Sequence, residues 1–209
     1  MIKENVLIVY FNTESEGYQA FTEIRKESFL TDKSTIFEQA SLIKKENGDI
    51  SAKDFFHHGK SLGEGVLVGS LIGSFVGLLG GPLGVLLGMG VGATIGSLSS
   101  FDDVQDNASL IYSVTSRLQE NEIAILAVVQ EEDESILDEY FSKFDTTIVR
   151  YDADVIEEEV EHALELEKEL VRQARLQLKQ ERSLERKQKV EEKRSEIQAR
   201  FKILKSKLK

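Results

Sequence analysis

Apolar residues recur along this chain with three different spacings. The first is the short unbroken run. NVLIVYF (Asn5–Phe11) and IAILAVVQ (Ile123–Gln130) are aliphatic, β-branched and aromatic, which predicts buried strands. STIFEQASLIKKENGDIS predicts a second strand, a turn at Asn47–Gly48 and a short third strand, and TTIVRYD a last one. The second spacing is helical. In TESEGYQAFTEIRKESF, Tyr18, Phe21, Ile24 and Phe29 fall near one face, with Thr13 or Ser15 as the N-terminal cap. FDDVQDNASLIYSVTSRLQ predicts a helix capped by Asp102 or Asp103, its inner face being Val104, Ala108, Ile111 and Leu118. EDESILDEYFSKF predicts a short amphipathic helix.

From Asp154 to the last residue there is no Gly or Pro, and good helix formers dominate. One long helix is expected. Its apolar stripe is Ile156, Val160, Ala163, Leu164, Leu170, Ala174 and Leu178. Beyond that the stripe thins to Leu184, Val190, Ile197, Phe201, Leu204 and Leu208. The first half suits docking on the body or a coiled coil, the second a solvated helix.

The third spacing is that of glycine. Gly65, Gly69, Gly73 and Gly77 are four apart, and so are Gly84, Gly88, Gly92 and Gly96. Gly80-Gly81-Pro82 stands between them and holds the only proline. Residues four apart share a helix face, so each arm would present a flat glycine groove for helix packing. Gly-Gly-Pro is a natural helix stop and restart. In water each internal glycine costs a helix roughly 0.8–1 kcal/mol relative to alanine. In a bilayer the backbone must bond internally, and glycine lets helices approach closely. A membrane hairpin is therefore the leading reading. The alternatives are helices buried in the centre of a soluble assembly, or a flexible or β-aggregating segment. The arms expected, Leu62–Leu79 and Leu83–Leu98, would be about 27 and 24 Å long. That is slightly short for a hydrocarbon core of about 30 Å.

The order is β-α-β, insert, α-β-α-β. It predicts an α+β fold: a ferredoxin-like sandwich interrupted by a glycine-zipper helical hairpin and followed by a long C-terminal helix. The expected divisions are 1–60 and 101–153 for the two halves of the α+β domain, 61–100 for the hairpin, and 154–209 for the charged helix.

Charge sharpens this picture. The net charge of −11 conceals fourteen Lys/Arg against five Glu from Arg172 to Lys209, a net of +9 that leaves −20 for residues 1–171. A basic arm on an acidic body suggests an interaction tail. Its partners would be anionic lipid or an acidic protein surface, and the body itself would repel nucleic acid. The absence of cysteine removes disulfides and thiolate chemistry. The N-terminal apolar run is short for a signal core, so the body is expected in the cytoplasm.

No catalytic constellation emerges. GEGVLVG (Gly63–Gly69) and GVGATIG (Gly90–Gly96) resemble dinucleotide-binding glycine motifs, but no strand precedes them and both continue the four-residue period. Gly59-Lys60-Ser61 echoes a phosphate loop, yet Asp54 stands where that loop needs glycine. His57-His58 has no third metal ligand in view, and His162 sits far off in a helix without a phosphoacceptor box. Asp102, Asp103, Asp152 and Asp154 read as helix caps and solvated charge. Glu157-Glu158-Glu159 through Glu169 reads as a wet helix face. Neither metal nor cofactor is expected.

The stretch VLIVYFNTESEGYQAF, then GEGVLVGSLIGSFVGLLGGPLGVLLGMGVGATIGSL, then DDVQDNASLIYSVTSRLQENEIAILAVVQ and FDTTIVRYD resembles a bacterial family. It is domain-of-unknown-function family 1269, small glycine-zipper membrane proteins. The resemblance spans about Asn5 to Glu169, and the basic extension lies outside it. It implies membrane association, no established activity and no catalytic residues. The expectation is a non-enzymatic, self-assembling protein at the cell membrane, with both hairpin flanks in the cytoplasm. A soluble homo-oligomeric scaffold or shell, or a membrane-permeabilising protein, are the alternatives.

Overall fold

The computed structural model describes residues 3–26, 34–58, 70–88 and 110–207. The described elements are β1 (Lys3–Phe11), α1 (Glu14–Arg25), β2 (Thr35–Glu46), β3 (Asp49–His57), α2 (Leu71–Leu79), α3 (Pro82–Gly88), α4 (Leu110–Arg117), β4 (Ile123–Glu131), α5 (Ser135–Phe141), β5 (Thr146–Asp152) and α6 (Ala153–Lys207). The fold is α+β, built on a five-stranded antiparallel sheet of order β3-β2-β4-β1-β5. The units β1-α1-β2 and β4-α5-β5 interleave. Each has its two strands separated by one strand of the other unit.

The unbroken apolar runs have a simple cause. β1 and β4 lie inside the sheet and are covered on both faces, so alternation with polar residues is lost. Val6, Leu7, Ile8 and Val9 are all buried, as is every residue from Ile123 to Val129. On one face Leu7, Val9, Phe11, Ile125 and Val129 pack with Ala20, Phe21 and Ile24 of α1 and with Leu137, Tyr140 and Phe141 of α5. The opposite face is covered by α2, which contacts β2, β3 and β4 and lies beside α3 and α4.

The β2–β3 turn is as expected. Asn47 (φ 56°) and Gly48 (φ 84°) both take the left-handed conformation that tight hairpins require. In α1 the inner face differs from expectation. Gly17, Ala20, Phe21 and Ile24 are buried, whereas Tyr18 is 43% exposed. A Cβ at position 17 would sit 2.8 Å from Ile123 Cγ2, so the helix comes close to the sheet at glycine and turns Tyr18 outward. Thr13 is the N-cap by position, without a side-chain bond. Phe29 lies outside the described residues.

α6 is a single helix of 55 residues. Its buried positions are Ala153, Ile156, Val160, Ala163, Leu166 and Leu170. Leu166 joins the expected stripe, Leu164 is only half-buried, and Ala174 and Leu178 are exposed. The chain divides into two compact units, Met1–Glu167 and Lys168–Lys209.

Candidate functional site: the glycine hairpin

The tip of the glycine segment forms two short helices joined by a tight turn. α2 starts at Leu71, not at Leu62, because Ser70 is extended (φ −99°, ψ 153°) and its Oγ accepts the Gly73 N–H at 3.0 Å. Gly80 ends α2, its N–H bonding Val76 O. Pro82 opens α3, where a missing N–H does no harm, and Val85 N–H bonds back to Gly81 O at 3.1 Å. Most of the described apolar side chains of both arms turn into the protein. Ile72, Phe75, Val76, Leu78, Leu79, Leu83 and Leu87 are all buried.

The glycines fall into distinct classes. Gly65, Gly69, Gly92 and Gly96 lie outside the described residues, as do both nucleotide-like motifs and Gly59-Lys60-Ser61. Gly73 lies in the first turn of α2, and Gly88 closes α3. A Cβ on Gly84 would collide with the carbonyl oxygens of Leu79 and Leu78, one on Gly80 would lie 2.8 Å from Ile50 O, and one on Gly81 would meet the Glu167 carboxylate. A Cβ on Gly77 would meet nothing within 4 Å. Two opposite outcomes are expected. Gly77→Ala raises stability by up to about 1 kcal/mol through helix propensity. Gly84→Ala lowers it by about 1–3 kcal/mol, because backbone must shift. Paired urea titrations check both.

Carboxylates from α6 hold the ends of the short helices. Glu159 accepts the N–H groups of Leu110 and Ile111 at 2.9 and 3.0 Å, so it caps α4. Asp102 and Asp103, proposed for that role, lie outside the described residues, with Val104 and Ala108; Ile111 and Leu118 are buried as expected. At the other end of α4, Lys45 Nζ donates to Thr115 O and Leu118 O at 3.1 and 3.0 Å. An eight-residue helix is marginal alone. Here an anion at its N-terminus and a cation at its C-terminus complement its dipole. Glu159→Ala should cost about 1 kcal/mol by the usual cap scale, measured by thermal unfolding.

Glu167 bonds the backbone of Leu83 at the start of α3, and burial pushes its pKa above the ordinary glutamate value. The charged form is thus the disfavoured one in the folded state. Its contribution is fully present at pH below the ordinary carboxylate range and is lost as pH rises through the raised value. Glu167→Gln should flatten this part of the pH dependence, seen as smaller differences between urea midpoints at mildly acidic and neutral pH. Glu159 and Glu167 correct the expectation of a wet face for this glutamate run. They are eight apart, so both point toward the same side of α6 as its apolar stripe.

A buried ionic cluster lies on the α5 side of the sheet, and sequence reasoning missed it. The Glu131 side chain is fully buried and accepts from Asn5 Nδ2 at 3.2 Å and Arg150 Nε at 3.1 Å. Arg150 also pairs with Asp138 at 2.7 Å and donates to Glu134 O at 3.1 Å. It joins β1, β4, β5 and α5. The only signal was a polar pair, Gln130-Glu131, closing an apolar strand.

Asp152 Oδ1 accepts the Asp154 N–H at 3.0 Å, a cap at the start of α6. His57 Nδ1 lies 2.9 Å from His58 O at the end of β3. Among the described residues no three His, Cys, Asp or Glu side chains gather to hold a metal ion, and no helix is long and apolar enough to cross a membrane.

The model of a family described as "Protein of unknown function (DUF1269)" matches residues 65–170. That span takes in the hairpin, α4, β4, α5, β5 and the part of α6 that supplies both carboxylates. No curated protein and no solved structure matches the chain. With half of its length covered by that model, the chain belongs to the DUF1269 family.

Proposed function

We propose that this is a non-enzymatic, membrane-associated protein that self-assembles through its glycine hairpin, with the α+β body and the helical tail on the cytoplasmic side. The observation that carries the reading is the uncharged stretch from Gly69 to Gly96, in which glycine keeps a four-residue period on both sides of Gly80-Gly81-Pro82. Such a period suits close helix packing in lipid and is poor for a solvated helix. In the arrangement described above, the tip is stowed against the sheet. Entry into a bilayer then requires α2 and α3 to leave that face and break the Glu167 contact with Leu83.

Burial of seven hairpin side chains within one chain favours a second reading, a soluble homo-oligomeric scaffold whose hairpins are protein core. Fractionation of the untagged protein separates the two. A membrane anchor stays in the pellet through carbonate and leaves it only with detergent. A scaffold appears as a large, discrete particle without detergent, and that result overturns the membrane reading. For self-assembly, Gly73→Leu with Gly88→Leu should reduce the oligomer on sizing.

A further inference from the structure

In sequence the basic tail is interrupted by glutamates, and this hides its order. The continuous helix α6 sorts these charges. Arg175, Lys179, Arg182, Arg186, Lys189 and Lys193 follow one another at alternating spacings of four and three, forming a row along the helix about 27 Å long. None of the six makes an ion pair among the described residues. Beside the row runs an apolar seam. Leu176, Val190 and Ile197 are separated by multiples of seven and are 50%, 51% and 53% exposed; Leu178 and Leu184, exposed to a similar degree, lie off this line. Lys187 and Arg194 flank the other edge of the seam. Four of the five glutamates, Glu181, Glu185, Glu192 and Glu196, spaced by four, seven and four, lie roughly 160° around the helix from it, at about 100° per residue, and Glu191 lies about 90° away, beyond Lys187.

We infer that this face of the tail is a docking surface for anionic phospholipid, on which the helix lies flat. Headgroup phosphates and carboxylates complement the cation row. Leu176, Val190 and Ile197 enter the headgroup–acyl boundary, while the glutamates stay in water. The long Lys and Arg stems cover apolar surface and keep their charges at the headgroups. A nucleic acid would use the cations but has no place for the seam. A coiled-coil partner needs apolar residues about every 3.5 positions, and this seam is far sparser. The inference extends the proposed membrane association to a second contact, separate from the hairpin.

The test uses the full chain and flotation with two kinds of vesicle, pure phosphatidylcholine and phosphatidylcholine containing phosphatidylserine. A swap variant exchanges Lys179→Glu with Glu181→Lys, Arg186→Glu with Glu185→Lys, and Lys193→Glu with Glu192→Lys. Net charge is unchanged and the sorting is destroyed. A second variant, Lys179→Gln, Arg186→Gln and Lys193→Gln, keeps the measurement informative if the swap perturbs the helix by circular dichroism. The expected result is a salt-sensitive excess of binding to the anionic over the neutral vesicles, and this excess falls at least ten-fold in both variants. Equal binding by wild type and variants overturns the inference. If that binding is also salt-resistant and equal on neutral vesicles, the hairpin reading stands alone. Salt-sensitive binding to anionic vesicles only, lost in the variants, supports the tail and counts against the hairpin. Loss of self-association in the variants without any lipid binding by wild type assigns the face to a second copy and overturns the inference. Wild-type binding to duplex DNA that exceeds its binding to anionic vesicles also overturns it.

Discussion

Arg150→Met should destabilise the body by about 3–5 kcal/mol, the usual cost of removing one partner from a buried ion pair. The reason is the state in which Glu131 is left. Its side chain is wholly buried, and its remaining partner is the neutral amide of Asn5 at 3.2 Å. A buried carboxylate that loses its ion-pair partner keeps the desolvation cost without the hydrogen bonds that offset it. Replacing both residues, Glu131→Met with Arg150→Met, should restore much of the loss, because the buried charge goes too. A double-mutant cycle by urea denaturation would therefore show a loss in the double variant far smaller than the sum of the single losses. Independent, additive losses would show that the pair is not coupled as the geometry requires.

The second large effect concerns the hairpin. Phe75→Ala should cost about 3–5 kcal/mol, as expected for truncating a fully buried aromatic side chain. Phe75 is 1% exposed on the α2 face of the sheet, and Phe141 is 0% exposed on the other. Phe141→Ala is thus a matched reference. In detergent-free solution the two variants should lose stability by similar amounts. In lipid or detergent they should part company if the hairpin leaves the sheet. Phe141→Ala would still lower stability, while Phe75→Ala would lose much of its effect, its ring now facing an apolar solvent. A neutral Phe75→Ala in water would mean the hairpin tip is not core at all. The measurement thus reports on both the stowed arrangement and its release.

These experiments bear on residues of unequal legibility. Most elements of the body can be read from local spacing. The runs in β1 and β4, the Asn47–Gly48 turn, α5 and the unbroken helix from Ala153 all carry their periodicity and turn chemistry within a few neighbouring residues. The helix break at Gly80-Gly81-Pro82 is likewise local, since proline and glycine act on their own backbone. The bounds of α2 were not legible in the same way. The hydrophobic period runs on through Ser70, and only the serine's competition for the Gly73 N–H stops the helix there.

What the sequence alone determined is the set of elements, the glycine period and the split between acidic body and basic tail. Each depends on neighbours along the chain. What only the tertiary structure decided is which charges are partners. Glu159 meets Leu110 across 49 positions, Lys45 meets Thr115 across 70, and Glu131 meets Asn5 across 126. The same glutamate run contains solvated residues and helix caps, and no local pattern separates them. The side of α6 that faces the body is set by its apolar stripe, but the helix ends waiting there are placed by the sheet. A hydrogen bond requires that geometry within a few tenths of an ångström, and only the packed fold supplies it.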